Sequence, residues 1–207
     1  MKSYEIYLIR HGITDGNLKG LYVGSTDSPL CEAGIARLEG MSKKFEYPAG
    51  GAYFTSPLLR CRQTSSILYP QANWIEIPDF RECAFGEWEG KSGEELSGNP
   101  LFEEWLKGDG TVCPPGGESG EVFIRRVNSA FEKVVESLLR TGITKSVIVA
   151  HGGTIMAILS TYGLPKANFY DWIVENGHGY SIRITPRLWM TDKVFEVYNE
   201  LPTTNRA

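Results

Sequence analysis

The chain has 207 residues, of which 42% are apolar and 22% charged, enough for one well-filled core in a globular domain and short for two. Its net charge of −4 argues against nucleic acid as a partner, because a basic patch supplies that affinity. No apolar run approaches the roughly 20 residues of a membrane span, and Met1-Lys2-Ser3-Tyr4-Glu5 lacks a signal-peptide pattern, so no membrane contact and a cytoplasmic location are expected. Cys31, Cys61, Cys83 and Cys113 form no C-x-x-C pair and have no zinc-like spacing to histidine, and they read as reduced thiols.

The pattern along the chain alternates strand and helix. Glu5 to Ile9 predicts a strand. Cys31 to Phe45 carries Ile35, Leu38, Met41 and Phe45 at helical spacing. After a turn at Pro48–Gly51, Ala52–Thr55 predicts a short strand. Ser56-Pro57 then predicts a helix start, with Ser as N-cap and Pro in the first turn, running to Tyr69. Trp74–Ile77 is a third strand. Asp79 to Pro115 is rich in Gly and aromatics, with a small helix near Leu101–Leu106. The longest helix runs from Ser119 to Leu139, its stripe made by Phe123, Val127, Ala130, Phe131, Val134 and Leu138. Val147–Ala150 is a wholly apolar strand, and Thr154–Tyr162 a helix. Tyr180–Ile184 and Val194–Tyr198 read as two late strands forming a hairpin. This order predicts one α/β domain over 1–207 with a mostly parallel sheet.

Two of the strands end alike. "IYLIRHGIT" and "VIVAHGGTI" each run from apolar residues into His-Gly. Strands apolar on both faces belong in the middle of a sheet, and ligands of open parallel sheets bind beyond the carboxyl ends of such strands. His11 and His151 are therefore expected side by side in a crevice, each followed by a glycine (Gly12, Gly152) that lets the backbone turn closely. The alternative is that both histidines only cap their strands; the matched ends, with Arg10 beside one of them, favour the crevice. Arg60, in the first turn of its helix, can point to the same place. Two arginines and two histidines suit a compact dianion, since guanidinium binds phosphate oxygens bidentately, and the helix start at Ser56-Pro57 would add positive potential. Glu82, in "RECAFGEWEG", is either a solvated loop carboxylate or a protonated donor to a leaving oxygen.

Five blocks in order carry a resemblance: "LIRHG" with Thr14 and Asn17, "TSPLLRCRQT" from Thr55, "ECAFGEWEG" from Glu82, "PGGES" from Pro115 and "VAHGGT" from Val149. Together they resemble the histidine phosphatase superfamily, also called the phosphoglycerate-mutase-like family. The resemblance implies a three-layer α/β sandwich with a mostly parallel sheet of about six strands, one late strand antiparallel, and a substrate-covering insertion around 79–118. It implies His11 as nucleophile and phosphohistidine, with Arg10, Arg60 and His151 holding the phosphoryl oxygens. Glu82 would be proton donor and then base, and Asn17, Gly24 and Gly152 would lie at the phosphate or substrate. It implies no metal and no cofactor, a small-molecule phosphomonoester as partner, and a monomer or homodimer.

Within that family the phosphatase branch is favoured over the cofactor-dependent phosphoglycerate mutases. Lys91 to Gly117 contains only Lys91 and Lys107 as basic residues, and Leu21 stands where mutases tend to have Arg. The stretch Gly20 to Gly34 resembles alpha-ribazole phosphatases and their broad-specificity relatives. Tyr22, Phe85, Trp88 and Trp105 either touch an organic leaving group or belong to the core. A mutase is the second reading. An inactive binding module of the same fold is the third, disfavoured because Arg10, His11, Arg60, Glu82 and His151 are all present.

Overall fold

A computed structural model describes residues 2–108 and 110–204. The outer limits of the expected 1–207 domain, and Asp109 in its 79–118 segment, lie outside the described residues. In chain order the elements are β1 (Tyr4–Arg10), α1 (Asp15–Leu18), α2 (Glu32–Lys44), β2 (Phe45–Glu46), β3 (Ala52–Thr55), α3 (Leu59–Leu68), β4 (Trp74–Glu76) and α4 (Pro100–Trp105). They continue with α5 (Gly120–Thr141), β5 (Lys145–Ala150), α6 (Gly152–Tyr162), β6 (Gly163–Leu164), β7 (Gly179–Ile184), α7 (Pro186–Asp192), β8 (Phe195–Leu201) and β9 (Thr203–Thr204).

The main sheet has seven strands in the order β4-β3-β5-β1-β7-β8-β6. β7 alone runs against its two neighbours, β1 and β8; the other pairings are parallel. The mostly parallel sheet with one antiparallel strand is therefore found, and the two-residue β6 makes it seven strands rather than six.

Period-two alternation explains why the central strands are apolar throughout. Ile6 and Leu8 of β1 and Ile148 and Ala150 of β5 face one way, into a core built with α5 and α6. Tyr7, Ile9, Val147 and Val149 face the other way, against Cys61 and Leu68 of α3. α2 packs on α3 outside that face. The result is three layers, helix–sheet–helix. α5 buries the expected stripe; Ser119 caps its start by accepting from the Val122 N–H, and Gly142, at φ 74°, ends it.

Three local expectations change. The helix expected at Ser56 begins at Leu59, and its N-cap, Leu58, has no side-chain cap. The Leu59 N–H is instead taken by the Asp27 carboxylate at 2.6 Å. Ser56 is diverted to a tertiary bond with His151. α6 begins two residues early, with His151 itself as N-cap. The two late strands do pair antiparallel as expected, with α7 in their connection, but the second runs Phe195–Leu201 where Val194–Tyr198 was expected.

Phe131 is fully buried at the centre of the α5 face, against Tyr162, Trp189 and Phe195. Phe131→Ala should lower the unfolding free energy by about 3–5 kcal/mol, the usual range for a buried Phe→Ala cavity. Urea denaturation should show this as a lower midpoint at unchanged slope.

Candidate active site

Parallel pairing of β1 with β5 sets Arg10 opposite Ala150, and the His11 N–H continues the ladder onto the Ala150 carbonyl at 2.9 Å. The next residue of each strand is a histidine. Their rings meet edge to face with centroids 5.2 Å apart. The two strand ends that matched in sequence are thus neighbours in space.

His11 is 5% exposed. Its Nδ1 lies 2.6 Å from the Gly12 carbonyl. A carbonyl only accepts, so Nδ1 carries the hydrogen and the lone pair is on Nε2. Burial, then the Arg60 and Arg10 charges, hold its pKa well below the usual 6.5, which keeps the ring neutral. The loop around it is fixed: Gly12 N–H donates to the Thr64 hydroxyl at 2.9 Å, and Asn176 Nδ2 donates to the carbonyls of His11 and Gly12 and to Asn17 Oδ1. Nothing local in the sequence marks Asn176; only the fold brings it there.

Arg60 is 1% exposed. Two carbonyls grip it: one terminal nitrogen donates to Thr26 at 2.8 Å and the other to Gly24 at 2.7 Å. Its Nε–H donates to His151 Nδ1 at 3.2 Å. That bond requires a bare Nδ1, so Nε2 of His151 carries the hydrogen and donates to Ser56 Oγ at 2.8 Å. His151 is fully buried, and burial followed by the Arg60 charge lowers its pKa well below 6.5. Cys61 Sγ lies 3.5 Å from His151 Nε2, but burial pushes its thiol up to about 12, which leaves it unreactive. All four cysteines are free.

Arg10 donates to the Val174 carbonyl at 2.6 Å. Its buried Nε has no hydrogen-bond partner among the described residues, and it packs over Gly152 at the start of α6. Neither Arg10 nor Arg60 forms an ion pair with a carboxylate among the described residues. Both positive charges are held by carbonyl dipoles and left uncancelled.

Glu82 reaches the same place from the loop after β4. Oε1 accepts the Cys83 N–H and Oε2 the Gly153 N–H, each at 2.9 Å. A Cβ on residue 153 would fall 2.4 Å from Oε1, so glycine is needed for the carboxylate to seat on α6. Burial raises the Glu82 pKa above its ordinary value; the two N–H bonds, Arg60 and Arg10 oppose that shift without cancelling it.

These groups close one end of a cavity of about 390 Å³. Arg10, Asn17, Glu82 and Gly152 line it; His11, Arg60, His151 and Gly24 are not among its lining residues. Asn17 spends Oδ1 on Thr14 and Asn176, which leaves its Nδ2 hydrogens for a ligand. Gly24, expected at the substrate, gives its N–H to Glu89 and its carbonyl to Arg60. The far end of the cavity is apolar. Tyr22, Phe85 and Trp105 line it together with Phe169 and Tyr170, whereas Trp88, at 2% exposure, lies in the small core beneath. The first amide of the helix expected at Ser56-Pro57 is capped by Asp27, and at the start of α6 the Gly153 N–H is taken by Glu82. No group of three or more His, Cys, Asp or Glu suited to a metal occurs among the described residues, and no helix there is long and apolar enough to cross a membrane.

Residues 6–196 match the Histidine phosphatase superfamily (branch 1). The chain is 29% identical to a 2,3-bisphosphoglycerate-dependent phosphoglycerate mutase of Methylobacterium radiotolerans, over 83% of this chain and 85% of that protein. It is 26% identical to the adenosylcobalamin/alpha-ribazole phosphatase of Salmonella typhimurium, over 84% and 87%. Its fold superposes on the alpha-ribazole phosphatase from Shigella flexneri with a TM-score of 0.80, covering 98% of this chain and 97% of that one; at 22% identity this likeness speaks for the fold alone. The family match spans nearly all of the chain and agrees with the site built on β1, β5, α3 and α6: the chain belongs to the histidine phosphatase superfamily, branch 1.

Proposed function

We propose that this chain is a metal-independent phosphatase that hydrolyses a small organic phosphomonoester through a phosphohistidine on His11. One observation carries the reading: a neutral histidine with its lone pair on Nε2 lies between the buried Arg60 and the half-buried Arg10, neither of which forms an ion pair with a carboxylate among the described residues. That is a receptor for a dianion with a nucleophile built in.

The steps follow from the geometry. Nε2 of His11 attacks phosphorus in line with the ester oxygen. Arg10, Arg60 and the Asn17 amide hold the equatorial oxygens, where charge spreads in the transition state. The Nε2–H of His151 joins them once it leaves Ser56; Arg60 at Nδ1 holds the tautomer in which that hydrogen exists. Glu82 gives its proton to the leaving oxygen. The resulting carboxylate then takes a proton from the water that cleaves the P–N bond, which returns His11 and Glu82 to their starting states.

The opposed pKa shifts serve this chemistry. Phosphorylation needs a neutral histidine and a protonated glutamic acid at once. With ordinary values of about 4.3 for Glu and 6.5 for His, that pair is the minor arrangement. Here His11 is pushed down and Glu82 up, which favours the reactive pair. The substrate dianion favours it further at Glu82.

The cavity supports a phosphatase over a phosphoglycerate mutase. Among the described residues that line it, Arg10 is the one cation, and most of the rest are apolar or aromatic. A second anionic group on the substrate, such as a carboxylate, has no partner there. The 79–118 segment acts as the substrate-covering wall, and the proposal places the enzyme in the cytoplasm as a monomer or homodimer.

His11→Ala should abolish turnover while leaving the melting temperature nearly unchanged. Alkaline quench of the wild type with labelled substrate should trap an acid-labile, base-stable phosphoenzyme, and its formation should persist as the pH falls below 6.5, because burial and then the Arg60 and Arg10 charges hold the His11 pKa well below that value; full turnover without it would mean direct attack by water. Phosphorylation by poor leaving groups should fall as pH rises through the raised Glu82 pKa. Glu82→Gln should remove that dependence and slow such esters about 100-fold or more, the scale for losing a general acid. p-Nitrophenyl phosphate, which needs little protonation, should suffer much less; equal loss for both esters would assign Glu82 to binding. Dialysis against EDTA should leave activity within about twofold, whereas a larger loss that magnesium restores would implicate a metal in charge neutralisation.

A further inference from the structure

Glu89 lies in the same loop as Glu82, seven positions on, and the steps above do not use it. Its carboxylate collects six donors. Oε1 accepts from the N–H groups of Ser25 (2.8 Å) and Phe85 (3.1 Å) and from the Ser25 hydroxyl (3.2 Å). Oε2 accepts from the N–H groups of Gly24 (3.0 Å) and Thr26 (3.4 Å) and from the Thr26 hydroxyl (2.7 Å). These donors hold its pKa below the ordinary carboxylate value, although burial pushes the other way.

Gly24 and Thr26 are also the residues whose carbonyls grip Arg60. The short loop therefore faces two ways: its N–H groups meet a carboxylate, and its C=O groups meet a guanidinium. Each charge polarises the intervening peptide groups in the sense that strengthens the other's bonds. The two charges are joined through the backbone and make no direct ion pair, so Arg60 is fixed in place while its charge stays available to a ligand. The loop has no slack: a Cβ on residue 24 would lie 1.7 Å from the Cys83 carbonyl and 2.8 Å from Glu89 Oε1.

We infer that Glu89 is a positioning residue that sets the Arg60 guanidinium, and through its Nε–H the His151 tautomer, for the phosphoryl group. This rests on the reading of Arg60 as a phosphoryl contact. Removing the Glu89 charge should let the loop relax and loosen Arg60, at a cost of about 10- to 100-fold in activity, the scale seen when a residue supporting a site's contact groups is lost.

A double-mutant cycle tests this, using p-nitrophenyl phosphate so that weakened variants remain measurable. Glu89→Gln should lower kcat/KM about 10- to 100-fold in the wild-type background and weaken inhibition by vanadate in parallel. In an Arg60→Ala background it should cost less than about threefold, because the group it positions is gone. Equal losses in both backgrounds would mean that Glu89 supports the fold generally, and would overturn the inference while leaving the phosphatase reading intact. An unchanged kcat/KM in Glu89→Gln would overturn it as well. If Arg60→Ala alone kept wild-type activity, the reading of Arg60 would fail and the inference with it. Should Glu89→Gln not fold, Thr26→Val, which removes only the 2.7 Å hydroxyl bond, runs the same cycle with a smaller loss and the same deciding outcomes.

Discussion

The register between β1 and β5 is the constraint on which the site depends. Side chains alternate along a strand, so a slip of one residue would turn each strand inside out. Here both strands are buried on both faces, and a slip would also exchange the partners of two separate helix layers. Ile6 and Leu8 would have to fit against α3, and Tyr7 and Ile9 against α5 and α6. The packing of two cores therefore fixes a register that sets Arg10 opposite Ala150, and the 5.2 Å approach of the histidine rings follows from it. The histidine pair is carried by strands buried on both faces, the kind of rigid mount that precise placement demands.

Charge is handled with the same economy. Burying a guanidinium next to a carboxylate would stabilise it and also cancel it. Arg60 is instead satisfied by the carbonyls of Gly24 and Thr26 and by His151, while Arg10 donates to Val174 and keeps its Nε unpaired among the described residues. Dipoles solvate the charges without neutralising them. Glu82 mirrors this arrangement, with two backbone N–H groups and no ion pair. Beyond burial, the field of Arg60 and then Arg10 depresses His11, and Arg60 leads the charges that depress His151. The two arginines also oppose the rise at Glu82, where desolvation wins. In the proposed reaction the same uncancelled charges attract the dianion and, after burial, help to keep His11 neutral.

What could be read in the sequence was what local pattern encodes. Apolar runs ending in His-Gly marked β1 and β5, helical spacing marked α5 and its buried stripe, and the ordered motif blocks placed Arg60 and Glu82. The errors came where a tertiary partner outcompeted a local one. Ser56-Pro57 has the chemistry of a helix start, yet the Ser56 hydroxyl serves His151 and Asp27, from another loop, caps α3 at Leu59. The resemblance alone placed Gly24 at the ligand; its small size answers to the Cys83 carbonyl pressed against it, a contact that no local pattern encodes. Asn176 carries no local signature, and Glu89 sits inside the "ECAFGEWEG" block with nothing local to mark what it holds. Each is defined by loops that meet only in the folded chain, 159 positions apart for Asn176 and Asn17 and 65 for Glu89 and Gly24.

The aromatic wall follows the same rule that separates support from contact. Trp88, Leu96 and Phe102 form a small core of their own, with Tyr22, Phe85 and Trp105 packed on it. Ring contacts link these side chains: Tyr22 meets Phe85, Phe102 and Trp105 edge-on, and Trp105 stacks on Phe102. Aromatic pairs of this kind add stability beyond their buried area. The residues beneath are sealed from solvent, and those above present rigid faces to the cavity. Glu89 ties the two parts together, since the Phe85 N–H and the loop that grips Arg60 both end on its carboxylate. The aromatic wall, proposed to meet the leaving group, and Arg60, proposed to meet the phosphoryl group, are thereby held to one anchor, so the distance between them is set by the fold and not by a ligand.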